Sequence, residues 1–170
     1  MAIELKRADP EMDVVVLEAK FCGFGASGRN GGTFVPQIMG SREHWAKRVG
    51  RDAVIGFERH LRESVSAVEE ALARESVSCD FVRSGSIRFA RNPLEQEWLE
   101  SQIRSDREWG VSEDDTFLLG AEESAAIVGV ASATGARFNR NAANVDPAAW
   151  SLGFEKPPFA AAFGYTRTPA

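Results

Sequence analysis

The stretch VVVLEA (Val14–Ala19) runs through KFC into GFGASG (Gly23–Gly28). A short, valine-rich run of this kind suits a strand buried on both faces, as in a parallel sheet. GFGASG satisfies G-x-G-x-x-G, the pattern in which a helix N-terminus presents backbone N–H groups to a dinucleotide pyrophosphate. That chemistry requires the first glycine to come directly off the strand and the helix to start inside the motif. Here Glu18 to Cys22 intervene, and RNGGTFVPQIMG after Gly28 carries turn residues with no helical period. GFGASG therefore does not read as the pyrophosphate fingerprint.

Glu18 is the more informative residue. An acid closing the second strand of a dinucleotide-binding unit accepts hydrogen bonds from ribose hydroxyls. A solvated carboxylate capping the next loop fits the strand context equally well. The glycine- and serine-rich loop beyond it offers backbone N–H groups and the Ser27 hydroxyl, with no bulky side chains to obstruct a phosphate. Taken alone, the same loop also reads as an ordinary surface loop.

Working outward, IELKRADPEM reads as a helix end. Lys6 and Arg7 fall in its last turn, where cations suit the dipole, and Asp9-Pro10 stops it. Helix end, turn and buried strand form the second half of a β-α-β unit whose first strand is expected before Met1. From Ser41, a predicted N-cap with Glu43 in the first turn, an apolar stripe runs through Trp45, Val49, Val54, Phe57, Leu61, Val65, Val68 and Leu72. The expected buried face is Trp45, Phe57, Leu61, Val65 and Val68, with Gly50 and Gly56 as points of kink or break. CDFVRSGSIRFA predicts two short strands around Ser84-Gly85. NPLEQEWLESQIRSDREWG predicts a helix capped by Asn92, with Pro93 at its first position, Glu95 in its first turn and Gly110 at its end. Residues 117–119 read as a brief strand, 121–128 as a helical turn, GARFNRN as a strand or loop, and Asp146-Pro147 as a helix start. No structure is assigned to residues 151–170.

The chain has 170 residues, a formal charge of -5 and a pI near 5.2, with 44% apolar and 26% charged residues. These are values of a soluble globular domain without the basic stripe of a nucleic-acid binder. No apolar run approaches the roughly 18 residues of a membrane span. The N-terminus lacks the apolar core of a signal peptide, so a cytoplasmic location is expected. Cys22 and Cys79 read as reduced, partly buried thiols, and His44 and His60 as helix-surface residues, so no metal site is expected. No acid–base pair or activated nucleophile emerges, and no catalytic residue is assigned.

LEAKFCGFGASGRNGG resembles the segment after the second strand in FAD-dependent amino-acid and amine oxidoreductases of the D-amino-acid oxidase/glycine oxidase type. GASGRNGG is similar to the branch that includes γ-glutamylputrescine oxidoreductase-like enzymes. CDFVRSGSIRFARNPLEQEWL resembles that family's strand pair and following helix, LLGAEESAAIVG its acidic turn, and NVDPAAW its return into the cofactor domain. The likeness covers most of residues 3–150 in consistent order. It implies an α/β fold: part of an FAD-binding, Rossmann-like, doubly wound domain with part of a mixed α+β substrate domain. The implied division is 1–76 in the FAD-binding domain, 77–140 in the substrate domain and 141–170 in the return to the former.

The resemblance further implies FAD as cofactor and a small amine or amino acid as substrate, oxidised at a C–N bond. It makes Glu18 the ribose ligand and sets Ala26, Ser27, Arg29, Asn30, Gly31 and Gly32 along the pyrophosphate and flavin. The family's own G-x-G-x-x-G lies on a first strand and helix that this sequence does not show, and residues 151–170 drift from its pattern. The chain is thus expected to be a fragment, to bind FAD weakly or not at all alone, and to oxidise no amine. Self-association through an exposed sheet edge is also expected. Two other readings stay open: a non-catalytic phosphate- or nucleotide-binding module, and an interaction protein.

Overall fold

The computed structural model describes residues 2–153 and the backbone of residues 164–167. Its helices are α1 (Ala2–Ala8), α2 (Arg42–Val49), α3 (Arg51–Arg74), α4 (Pro93–Glu108), α5 (Ala121–Ile127) and α6 (Pro147–Gly153). Its strands are β1 (Val15–Glu18), β2 (Thr33–Phe34), β3 (Ser86–Ala90), β4 (Thr116–Gly120), β5 (Gly135–Asn139), β6 (Ala143–Asn144) and β7 (Gly164–Arg167). The chain forms two compact units, one from residues 1–33, 70–81 and 145–170 and the other from 34–69 and 82–144.

In the first unit, β1 pairs in parallel with β7, with Val15 opposite Gly164 and Glu18 opposite Arg167. The strand forms where the valine run predicts it, but it is not buried. Val15, Val16 and Leu17 are 56%, 38% and 80% exposed. Pairing along one edge satisfies backbone groups without covering either face, and α1, the short helix before β1, buries no residue. The core of this unit instead gathers Leu72, Val77, Cys79 and Val145. Asp146 starts α6 as expected, its Oδ1 accepting from Ala148 N at 2.8 Å and Ala149 N at 3.0 Å.

The second unit is an antiparallel three-stranded sheet in the order β3-β5-β4, with α2, α3, α4 and α5. Ser41 caps α2 by accepting from His44 N at 3.1 Å, and Asn92 caps α4 by accepting from Glu95 N at 2.9 Å. Gly50, at φ +89°, divides the long apolar pattern into two helices, whereas Gly56 stays within α3. The break alters the buried face. Trp45 and Phe57 are 37% and 52% exposed, while Val54, Glu58, Val65 and Leu72 are buried. Neighbouring helical positions differ by about 100°, so a face centred on Val54, Glu58 and Val65 turns Phe57 outward. Leu61 and Val68 are half-buried.

The strand pair expected around Ser84-Gly85 is not a hairpin. Val82 makes only an isolated bridge to Asn144, and β3 pairs with β5, across a long connection. Gly85 explains the turn: at φ +68°, with the Phe138 ring against it, it redirects the chain into β3. Phe117 and Phe138 pack at 5.4 Å on one face of the sheet. Directly opposed residues share a face in antiparallel pairs, so Ser86, Asn139 and Thr116 stand on the other face, together with Arg88, Arg137 and Leu118.

Candidate functional site

The loop after β1 is built around its glycines and Asn30. A Cβ at Gly28 would lie 2.2 Å from the Gly23 carbonyl oxygen, so the GFGASG segment closes on itself at that point. Ala26–Gly28 form a single 3₁₀ turn, and the next helix begins at Arg42. The segment therefore lacks the helix start that a pyrophosphate fingerprint requires. Gly32 sits at φ +67°, and its carbonyl accepts from Val145 N at 2.9 Å.

Each residue expected at a cofactor has a defined place. Glu18 ends β1, and its Oε1 accepts from Lys20 N at 2.9 Å. Asn30 donates from Nδ2 to Ala26 O at 3.2 Å and Ser27 O at 2.9 Å, and its Oδ1 accepts from Gly32 N at 2.7 Å. Its amide thus fixes the loop's shape. The Arg29 guanidinium lies 4.3 Å from the Phe24 ring centroid, and Lys20 Nζ lies 4.0 Å from the same ring. Two cations therefore flank one aromatic beside the loop. Ala26 and Ser27 lie in the exposed 3₁₀ turn, and a Cβ at Gly31 would meet nothing within 4 Å. The loop thus brings together a carboxylate with one oxygen engaged, an exposed hydroxyl, two cations stacked on Phe24 and an open glycine.

The second unit holds a cavity of about 590 Å³ between the polar face of its sheet and α2, α3 and α4. A chain of alternating charges runs along it. Arg42 Nε donates to Glu58 Oε1 at 2.7 Å and Arg42 Nη2 to Asp106 Oδ1 at 3.1 Å. Arg137 Nη2 donates to Asp106 Oδ2 at 2.5 Å, and Thr116 Oγ1 donates to the same oxygen at 3.0 Å. Burial alone would lower the pKa of Arg42. The hydrogen bonds and charges of Glu58 and Asp106 outweigh it and hold the guanidinium above its ordinary value. Glu58 and Asp106 are 2% and 5% exposed.

Sequence reasoning missed this network. Its one legible signal was Glu58, an acid standing in the apolar stripe between Val54 and Val65. Asp106 and Arg137 are non-local partners, brought together only by the packing of α4 against β5.

The family model described as FAD dependent oxidoreductase (DAO) matches residues 1–156. The chain belongs to the FAD-dependent oxidoreductase family. It is 30% identical over 149 residues to gamma-glutamylputrescine oxidoreductase of Escherichia coli K12, covering 88% of this chain and 34% of that protein. Among solved structures it is similar to glycine oxidase from Geobacillus kaustophilus, at TM-score 0.62 and 18% identity over 98% of this chain and 42% of the other. It is also similar to L-proline dehydrogenase from P. horikoshii, at TM-score 0.64 and 21% identity over 98% and 39%. These two likenesses concern the fold alone and support an α/β architecture. The chain spans 34% and 36% of the length of two curated family relatives it matches. Among the described residues, no helix is long and apolar enough to cross a membrane, and no group of three or more acidic, histidine or cysteine residues could hold a metal ion.

Proposed function

We propose that this chain forms part of an FAD-dependent oxidoreductase that oxidises a C–N bond of a small amine or amino acid. The observation that carries the reading is the family match over residues 1–156, with Glu18 standing at the end of β1 ahead of the glycine loop. In this reading Glu18 accepts from the adenosine ribose hydroxyls. The Ser27 hydroxyl and the Arg29 guanidinium face the phosphates, Asn30 holds the loop, and Gly31 and Gly32 leave room beside it. When bound, FAD supplies the acceptor for the hydride leaving the amine-bearing carbon, and the resulting imine is hydrolysed.

The 170 residues alone hold the cofactor weakly and turn over no amine. The G-x-G-x-x-G they contain leads into a 3₁₀ turn, so no helix N-terminus meets the pyrophosphate there. Two or three missing charge-assisted hydrogen bonds weaken binding by roughly 3–9 kcal/mol, about two to six powers of ten. One carboxylate at Glu18 does not offset that.

The test is amide NMR of the chain with ADP-ribose or FMN. ADP-ribose is expected to shift the resonances of Glu18, Ser27 and Arg29, and FMN, which lacks the adenosine ribose, to leave Glu18 unmoved. Shifts confined to other residues would remove the reading. Bleaching of the flavin's visible absorbance when amines are added to the chain with FAD would overturn its inactivity.

A further inference from the structure

Asn30 and Gly31 form the one Asn-Gly pair in the sequence; Asn92, Asn139, Asn141 and Asn144 all precede residues that carry a side chain. Asparagine is a thermolabile residue: the next backbone nitrogen can attack its side-chain carbonyl carbon. A glycine at that next position leaves the approach open, because it has no Cβ. Both Asn30 and Gly31 are exposed, and a Cβ at Gly31 would meet nothing within 4 Å. The Gly31 N–H makes no hydrogen bond among the described residues. The attacking nitrogen is therefore free and uncrowded.

The Asn30 amide, by contrast, is held at both ends. Its Nδ2 donates to Ala26 O at 3.2 Å and Ser27 O at 2.9 Å, and its Oδ1 accepts from Gly32 N at 2.7 Å. These bonds aim the amide across the loop, and bringing its carbon onto Gly31 N turns it out of them. The same bonds reject the product. A carboxylate at position 30 has no N–H for the two carbonyls and sets a negative oxygen against both. An isoaspartate adds a main-chain carbon close to Gly32, which is buried at φ +67° with its carbonyl bonded to Val145 N at 2.9 Å. That position has no slack to absorb a longer chain, since even a Cβ there would lie 2.0 Å from Val145 O.

We propose that Asn30 is a site of spontaneous deamidation gated by the closed loop: opening the loop releases the amide to react, and the product does not close it again. Gly31 N bonds to Asn30 Cγ, the Cγ–Nδ2 bond breaks, and ammonia leaves with the proton from Gly31 N. Water then opens the cyclic imide, at Cγ to give aspartate or at the Asn30 main-chain carbonyl carbon to give isoaspartate. No oxidant or cofactor takes part. The inference rests on the loop's own hydrogen bonds and stands apart from the flavin reading.

The experiment incubates the whole chain at neutral pH, folded and in guanidinium chloride. Each asparagine is followed by mass spectrometry of peptic peptides and by enzymatic labelling of isoaspartate. In denaturant, Asn30 is expected to convert faster than Asn92, Asn139, Asn141 and Asn144. In the folded chain it is expected to convert still, about ten- to a hundredfold more slowly, because three hydrogen bonds must first be released. Gly31→Ala crowds the attacking nitrogen where the fold has room for a Cβ, and is expected to slow conversion in both conditions. Asn30→Asp makes one product directly and is expected to speed amide hydrogen exchange across residues 26–32 at least about tenfold. The Gly31→Ala comparison in denaturant keeps the test open if Asn30→Asp does not fold. Asn30 converting no faster than the other asparagines in denaturant, no conversion at Asn30 in the folded chain, equal folded and unfolded rates, an unchanged rate in Gly31→Ala, or wild-type exchange in Asn30→Asp would each overturn the proposal.

Discussion

Replacing Asp106 tests how the second unit is held together. Its carboxylate is 5% exposed and accepts from two guanidiniums and a hydroxyl. In Asp106→Ala, Arg42 retains Glu58, but Arg137 loses the one carboxylate it pairs with among the described residues, and the Thr116 hydroxyl loses its acceptor. Removing one partner of a fully buried ion pair costs about 3–5 kcal/mol, and because the Arg137 side chain keeps 22% exposure the expected loss lies at or below the lower end of that range. Asp106→Asn keeps the shape and one acceptor oxygen but aims an N–H₂ group at one of the arginines. Its loss should be substantial and smaller than that of alanine. The assay is urea unfolding followed by far-UV circular dichroism, comparing free energies extrapolated to water at constant slope. An alanine variant within about 1 kcal/mol of wild type would place its cost in the range of ordinary surface substitutions and refute the claim that Asp106 organises this core.

Three further expectations follow from other sites. Gly32→Ala should destabilise the chain by more than about 1 kcal/mol, because φ is +67° and the new Cβ would lie 2.0 Å from Val145 O. Gly31→Ala, with nothing within 4 Å, should be near neutral in the same melts. Cys79 is buried, and desolvation aided by the nearby Asp80 charge raises its pKa, so a disulfide reagent should modify Cys22 well before Cys79, as peptide mapping would show. Burial alone would raise the pKa of Asp115, but hydrogen bonds from Asn141 and Ser112 and the charge of Arg62 outweigh it and leave the carboxyl below 3.8. A depressed folded pKa stabilises above the unfolded value and is lost as pH falls through the folded one. The stability gap between wild type and Asp115→Asn should therefore be full at neutral pH and shrink below pH 3.8.

Local signals were legible where the cause is local. Ser41, Asn92-Pro93 and Asp146-Pro147 mark helix starts because their side chains or fixed φ act within one turn, and all three helices begin there. The valine run gave β1 its conformation but not its exposure, since exposure depends on what covers the faces. Trp45 misled because Gly50 interrupts the helical period between it and Val65, and Phe57 because, although in the same helix as Val65, it stands to one side of the face that Val54, Glu58 and Val65 bury. The false hairpin at Ser84-Gly85 has the same origin: the turn is real, but β3's partner, β5, lies far along the chain. In the first unit the candidate loop was visible as glycines and an acid. In the second, an acid within an apolar stripe was visible, but its partners Arg42, Asp106 and Arg137 come from three other elements and carry no common spacing.

The most direct test of the central claim is a titration of FAD fluorescence with the wild-type chain and with Glu18→Gln, at equal protein and salt concentrations. The account predicts weak, saturable quenching by the wild-type chain, no flavin retained on gel filtration, and affinity at least about tenfold lower in the variant, since a charge-assisted hydrogen bond contributes about 1.5–3 kcal/mol. Stoichiometric flavin retained by both proteins, or equal affinities in a folded variant, would contradict it.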